Sequence, residues 1–177
     1  MKWLMIVLVV LVLTGVVMWT IGGRLPREHT ATVRGTFHAT SDSVWAHIAD
    51  PIGAASWRSD LAKVERVDAP GAPLSWREHS RNGAITFAMV AQTPPTSQIT
   101  RITDAALPFG GQWEFTLAAR DGASELTITE RGFVKPPLFR FLSRYVFGYT
   151  SSLTAYHNAL ANALDPSATI AVIEGGR

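Results

Sequence analysis

The chain has 177 residues, a size that suits one ordinary domain, and 17% of them are charged. A formal net charge of +2 without a long basic run argues against nucleic acid as a partner. The absence of cysteine excludes disulfides, cysteine-based zinc or iron–sulfur sites and thiol catalysis.

The first predicted element is an apolar helix at the N-terminus. The mean hydropathy of +0.13 is high for a soluble protein, and the apolar excess is concentrated in residues 3–21, which carry no charge. This length is close to the ~20 residues that a helix needs to cross a bilayer. Trp3 and Trp19 lie near its two ends, where aromatic side chains favour the membrane interface. We therefore expect residues 1–23 to be a single transmembrane anchor.

The residues around this apolar stretch bear on its cleavage and its orientation. A cleavable signal peptide is the alternative, but its apolar stretch is shorter and ends in a small-x-small site, for which Thr20-x-Gly22 is a weak candidate. Lys2 favours a cytoplasmic N-terminus, whereas Arg24 and Arg27 favour the opposite orientation. By analogy with signal anchors, we expect the rest of the chain to lie outside the cytoplasm.

The chain from residue 30 to residue 165 predicts one α+β domain, after a polar linker over 24–29. A strand over 30–39 is followed by a short helix that Thr40 caps and Pro51 stops, and by a second short helix over 52–58. Turn signals at regular spacing then delimit further strands. These six strands are expected over 61–69, 73–82, 84–93, 97–106, 112–120 and 124–134.

The last predicted element is one long helix from Leu138 to Leu164. Its apolar side chains recur at steps of three and four, as one face of a helix requires. Asp165-Pro166 ends the helix, and no element is predicted for the tail over 166–177. The natural packing is a curved antiparallel sheet of about seven strands gripping this helix.

Two hairpin signals predict which side chains share the inward face of the sheet. Two-residue turns at Asn82-Gly83 and at Asp121-Gly122 fix the pairing of the flanking strands. In each hairpin one carboxylate then shares the face of the aromatic side chains. The first turn pairs Ser80 with Ile85, Glu78 with Phe87 and Trp76 with Met89; the second pairs Leu117 with Leu126, Phe115 with Ile128 and Trp113 with Glu130.

Inward carboxylates among aromatic side chains are costly unless they are paired or hydrated. One interpretation is that sheet and helix enclose a cavity that contains both carboxylates. The other is that each carboxylate pairs with an inward arginine, Arg58 or Arg101, or lies at the rim of the sheet. The tyrosines of the last helix face the sheet and fit either a core or a cavity wall. The candidate cavity residues are Trp76, Glu78, Phe87, Met89, Trp113, Phe115, Ile128, Glu130, Tyr145, Tyr149 and Tyr156.

Several segments, taken in order, resemble the START/SRPBCC helix-grip superfamily, and within it the polyketide cyclase/dehydrase and lipid-transport-like group. The resemblance spans about residues 30–164. The segments that carry it are Thr36-Phe37-His38-Ala39 leading into Ser43-Val44-Trp45, Trp57, Phe109-Gly110-Gly111-Gln112-Trp113, the run Leu126 to Gly132, and Pro137-Leu138-Phe139-Arg140-Phe141.

The resemblance implies an elongated hydrophobic cavity that binds lipids, sterols, polyketides or other apolar molecules. Some members of the superfamily catalyse cyclisation or dehydration, but they share no universal catalytic residue, so none is transferred to this chain. Rieske oxygenases share the fold, and the absence of cysteine excludes their chemistry here. No cofactor is expected.

Motifs for other chemistries are missing from the sequence, which has no GxSxG, P-loop or HExxH pattern. No metal site is expected, because the five histidines lack ligand spacing. Glu130 is the candidate catalytic residue, with His157 or a tyrosine as its acid–base partner. The five histidines are His29, His38, His47, His79 and His157, and a basic cluster that either contacts lipid headgroups or is solvated comprises Lys135, Arg140 and Arg144.

Three functions are consistent with these observations. The first is a membrane-anchored domain that binds a hydrophobic small molecule or lipid between sheet and helix. The second is a cyclase- or dehydrase-type enzyme that acts on an apolar substrate in the same cavity. The third is a chaperone-like or protein-interaction module, in which the cavity is incidental.

Overall fold

The computed structural model describes residues 2–176, in which eight strands form one antiparallel sheet with the order β2-β3-β4-β5-β6-β7-β1-β8. The predicted α+β helix-grip class is confirmed. The strands are β1 Glu28–Phe37, β2 Leu61–Arg66, β3 Ser75–Ser80, β4 Gly83–Thr93, β5 Ser97–Ile102, β6 Phe109–Arg120, β7 Ala123–Val134 and β8 Thr169–Glu174. The helices are α1 Lys2–Arg24, α2 Ser41–Ile48, α3 Pro137–Leu142 and α4 Ser151–Leu164, with a 3-10 turn over Ile52–Ser56 and a π-helical turn over Ser143–Phe147.

The N-terminal helix α1 has the length and composition of a membrane span. Within residues 2–176 it is the one helix with these properties, and its mean hydropathy reaches 2.8. A signal sequence near an N-terminus has the same properties. Apart from Gly22, which is buried, the residues of α1 are exposed or half-buried.

The C-terminal tail adds an eighth strand that the sequence analysis did not predict. Strand β8 pairs antiparallel with β1, with Gly35 opposite Ile170 and Thr36 opposite Thr169. Val172 and Ile173 remain more than half exposed. The strand therefore covers the open edge of β1 through backbone hydrogen bonds and buries little apolar surface.

The prediction of one uninterrupted C-terminal helix is wrong in its first half. A π-helical turn follows α3, and Gly148 then adopts a φ of +77°, a left-handed conformation that glycine adopts without strain. After the break, α4 packs on β1 and β8, and its buried residues are Leu153, His157, Leu160 and Ala161. The apolar side chains keep their spacing of three and four residues across the break, so the sequence pattern does not reveal it.

The hydrophobic core fills only one half of the concave face. Within residues 2–176, α4 packs on β1 and β8, α2 packs on β6 and β7, and the 3-10 turn contacts β2. No α-helix of this range therefore packs closely on β2–β5. Helix α2 begins where Thr40 Oγ1 accepts a hydrogen bond from the Ser43 amide at 3.2 Å. The fully buried side chains of this core include Val33, Phe37, Val44, Leu126, Ile128, Leu153 and Leu160.

The two hairpins differ in how well the turn signal predicts the pairing. In β6–β7 all three predicted pairs are confirmed. In β3–β4 the predicted pairing is wrong by two residues, because the turn is Arg81-Asn82 and Gly83, with a φ of +120°, already belongs to β4. Side chains alternate with a period of two, so this shift keeps Glu78 and Trp76 on the inward face.

Candidate functional site

The uncovered half of the sheet forms the wall of a large cavity. The cavity has a volume of about 640 Å³ and lies between β2–β6, the 3-10 turn and α4. This volume is within the range of small-molecule binding sites, about 300–1,000 Å³. Its apolar wall includes Ile48, Ala54, Trp57, Leu61, Trp76, Ile85, Phe87, Met89, Ile102, Leu107, Phe109, Trp113 and Phe115.

The structure brings most of the predicted cavity residues together. Three of them lie elsewhere: Ile128 is fully buried in the core, the ring of Tyr149 stacks on His29 at 4.1 Å, and Tyr145 is 59% exposed. Tyr145 leaves the predicted face because the helix is broken before α4. The predicted residues that do line the cavity are Trp76, Glu78, Phe87, Met89, Trp113, Phe115, Glu130 and Tyr156.

The carboxylate of Glu78 is paired inside the cavity wall. Arg58 Nη1 donates to Glu78 Oε2 at 2.9 Å, and Trp76 Nε1 donates to the other oxygen at 3.1 Å. Both members of the ion pair are largely buried, at 13% and 14% exposed. Burial lowers the pKa of Arg58, but the charges of Glu78 and Asp60 more than offset this, so the pKa lies above its ordinary value. The arginine-paired interpretation therefore holds for Glu78, with Arg58 as the partner.

Tyr156 is the helix residue that closes the cavity against the sheet. Its ring makes edge-on contacts with Trp57, Trp113 and Phe115, and the Arg58 guanidinium lies 5.4 Å from its centroid. Burial raises the pKa of Tyr156 above its ordinary value. The hydroxyl therefore stays protonated at neutral pH and is a hydrogen-bond donor.

Glu130 lies at the other side of the cavity wall and faces several donors. Its oxygens lie 3.2 Å from His29 Nε2, 3.1 Å from Trp113 Nε1 and 3.4 Å from Ser152 Oγ. The His29 side chain is 6% exposed, and its Nδ1 is buried without a hydrogen-bond partner among residues 2–176. These contacts hold a carboxylate in a fixed position at the cavity surface.

The predicted acid–base pair of Glu130 with His157 is not formed. His157 is fully buried, and its ring nitrogens contact Leu153 O at 2.9 Å and Leu126 O at 3.2 Å. His29 takes its place beside Glu130. The sequence contained a signal for this, since His29 shares the inward parity of the buried Ala31 on β1.

Two other wall residues were not predicted from the sequence. Gln98 and Thr100 are buried inward residues of β5. Gln98 Nε2 also donates to Ile48 O at 2.7 Å and so ties β5 to α2. The register of β5 does not follow from a two-residue turn, because its loop contains Pro94-Pro95. Within residues 2–176, no group of three or more His, Cys, Asp or Glu residues is placed to hold a metal ion.

The exposed residues of the cavity wall lie at one end of the sheet. Strands β3 and β5 end here, and β4 and β6 begin here, as their antiparallel pairing requires. The exposed wall residues are Asp60, Asn82, Gly83, Ala84, Phe109 and Ser152. The cavity therefore opens at this end, which we call the mouth end.

The sequence of residues 28–161 matches the family model for polyketide cyclase/dehydrase and lipid transport proteins. No curated protein has a significant sequence match to the chain.

Solved structures share the fold at low sequence identity. The ZhuI aromatase/cyclase from Streptomyces sp. R1128 is 18% identical with a TM-score of 0.63, over 77% of this chain and 93% of that one. A START superfamily protein from Mycobacterium smegmatis is 14% identical with a TM-score of 0.59, over 78% and 98%. Norcoclaurine synthase from Thalictrum flavum is 11% identical with a TM-score of 0.57, over 77% and 87%. At these identities the similarity establishes the fold alone.

Proposed function

Because this chain belongs to the polyketide cyclase/dehydrase and lipid transport family, we propose that its cavity binds a hydrophobic small molecule or lipid while α1 anchors the domain in a membrane. The observation that carries the proposal is the 640 Å³ cavity over β2–β5, on which no α-helix of residues 2–176 packs closely. An apolar ligand gains about 25 cal/mol for each Å² of apolar surface that it removes from water.

The polar groups of the cavity wall orient the bound ligand. Arg58 and Glu78 lie on one side of the cavity and Glu130 on the other, within walls that are otherwise largely apolar. A few fixed polar groups in an apolar pocket favour ligands with a polar group at a matching position. The ligand class that fits is an apolar molecule with at least one hydroxyl, carbonyl or similar polar group.

A photoactivatable fatty acid tests this proposal in the full-length chain. The chain is placed in phospholipid nanodiscs, the probe is activated by light, and labelled peptides are identified by mass spectrometry. We expect labels both on α1, which contacts the lipid, and on wall residues such as Met89 and Trp113. Labels confined to α1 would contradict ligand binding in the cavity and would favour the protein-interaction alternative.

A second candidate function is catalysis at Glu130, of the cyclase or dehydrase type. The observation that favours it is a carboxylate at the cavity surface, in contact with His29, Trp113 and Ser152. Such a carboxylate acts as a general base when it takes a proton from a bound carbon acid. It completes a dehydration when it returns that proton to the departing hydroxyl as water.

Glu130→Gln tests this candidate without a change in side-chain size. We expect the variant to lose turnover by about 10²–10⁴-fold, the usual contribution of a general base. Wild type and variant are incubated with a lipid extract of the host, and mass spectrometry searches for pairs of compounds that differ by one water. Glu125→Gln is the control, because Glu125 lies on the same strand and pairs with Arg34 and Arg120 outside the cavity. Identical spectra from wild type and Glu130→Gln would exclude this role.

A further inference from the structure

The mouth end of the cavity is also the end of the sheet at which α1 joins the domain. Helix α1 leads into the first residue of β1, Glu28, which pairs with Phe133 near the end of β7. On its other edge, β7 pairs with β6, where Val134 lies opposite Phe109, a residue of the cavity wall. The chain that enters from α1, the chain that leaves towards α3 and the cavity mouth are therefore neighbours.

A tight contact fixes α1 to α3 at this end. Gly22 is buried against Pro137 and Phe141, and an added Cβ there would overlap the carbonyl oxygen of Pro137. Arg140 is 6% exposed, and its Nε donates to Gly22 O at 2.9 Å. A glycine contact and a buried hydrogen bond to backbone hold two helices in one relative position. The direction of α1 therefore sets the position of α3.

The segment from α3, which packs on α1, through the π-helical turn exposes large apolar side chains. We call Pro137–Phe147 the apolar shoulder. Phe139 is 46% exposed, and three consecutive residues, Tyr145, Val146 and Phe147, are 59%, 60% and 65% exposed. Continuous exposed apolar patches of this kind mark contacts with a protein or a membrane. Tyrosine and phenylalanine side chains are favoured at the interface between lipid and water.

The charge around the shoulder is basic. Arg24 ends α1, Lys135 precedes α3, and Arg144 lies within the π-helical turn. Lys135 Nζ donates to Leu107 O at 3.2 Å, and Arg144 Nη1 donates to Gly176 O at 2.7 Å. Both cations therefore bond to neutral carbonyl groups, and neither forms an ion pair with a carboxylate of residues 2–176. A basic border around an apolar surface complements anionic phospholipid headgroups.

From this arrangement we propose that the apolar shoulder is a second membrane contact, which inserts into the lipid surface beside α1 and seats the cavity mouth on the bilayer. The proposal rests on the membrane anchoring in the proposed function and assigns the bilayer itself as the source of the ligand. Lys135 links the two features, because its side chain bridges from the start of α3 to Leu107 in the cavity wall. When the cavity mouth lies on the bilayer, an apolar ligand passes from lipid to cavity without crossing bulk water. This avoids the cost of hydrating its apolar surface.

A single fluorophore at position 147 tests the insertion directly. The chain has no cysteine, so Phe147→Cys provides one unique labelling site. Val90→Cys is the matched control, because Val90 is 47% exposed near the end of β4 that lies away from the mouth. The full-length chain is reconstituted into phosphatidylcholine vesicles with and without phosphatidylglycerol, and some of the lipids carry a nitroxide quencher near the headgroup.

The proposal predicts strong quenching of the probe at position 147 and none at position 90 in vesicles with which the chain floats. Quenching at position 147 is expected to increase when phosphatidylglycerol is present. Equal quenching at the two positions in such vesicles would overturn the proposal and leave the anchor intact. A chain that does not float with vesicles would overturn the anchoring itself, and the seating with it. Val146→Cys repeats the test if the first variant does not fold.

Discussion

Replacing Thr100 with tryptophan is expected to abolish most ligand binding while the protein still folds. Thr100 is 7% exposed, lines the cavity, and lies opposite Met89 and Trp113 in the neighbouring strands. A tryptophan here would fill part of the cavity. Because the indole competes with the ligand for this space, we expect the free energy of ligand binding to become less favourable by about 1–3 kcal/mol, the usual cost of overpacking. Each 1.4 kcal/mol corresponds to about tenfold in affinity, so we expect about a five- to hundredfold loss.

The nanodisc cross-linking experiment measures this loss with an internal standard. Labels on cavity residues should fall at least about fivefold in Thr100→Trp, whereas labels on α1 should be unchanged. Thr116→Trp is the control, because Thr116 is exposed on the opposite face of β6. Unchanged cavity labelling in Thr100→Trp, with circular dichroism like that of the wild type, would show that the ligand lies elsewhere.

Replacing His157 with alanine is expected to destabilise the domain by about 2–4 kcal/mol, from lost packing and a lost buried hydrogen bond. The imidazole is fully buried, stacks near Phe37 at 6.4 Å, and connects α4 to β7 through Leu126 O. Gly35 provides its space, because a Cβ there would overlap the imidazole ring. Denaturant unfolding of the full-length chain in detergent, followed by circular dichroism, measures the change.

The same variant is expected to reduce the pH dependence of stability below pH 6.5. Burial lowers the pKa of His157 below its ordinary value of 6.5, and the hydrogen bonds to Leu153 O and Leu126 O only partly offset this. The unfolded chain therefore binds a proton at His157 more readily than the folded chain does. Its contribution to stability is complete above pH 6.5 and is lost as the pH falls through and below that value.

The control for both effects is His47→Gln. His47 also contacts the carbonyl oxygen four residues before it, at 2.9 Å, but it is only half-buried on α2. We expect its replacement to change the free energy of unfolding by no more than about 1 kcal/mol. A His157→Ala variant that is as stable as His47→Gln, or that shows the same loss of stability between pH 7 and pH 5 as the wild type, would contradict this account.

The amino-acid sequence by itself determined the elements whose signals are local. The apolar run of α1, the Thr40 cap, and the inward faces of β3, β4, β6 and β7 all follow from patterns within about ten residues. Even the wrong pairing beside Asn82 left Glu78 and Trp76 facing inward, because the side-chain period of a strand is two. The resemblance to the family also came from local segments in the right order.

Only the tertiary structure decided which inward side chains face a core and which face a cavity. Ile128 and Trp113 share one face of the sheet, yet Ile128 is fully buried in the core and Trp113 lies in the cavity wall. That difference depends on where a distant helix packs, and this in turn depends on the break at Gly148. The pairings of Glu78 with Arg58 and of Glu130 with His29 join residues 20 and 101 positions apart. Sequence periodicity cannot specify such pairs, because it describes only neighbours within one element.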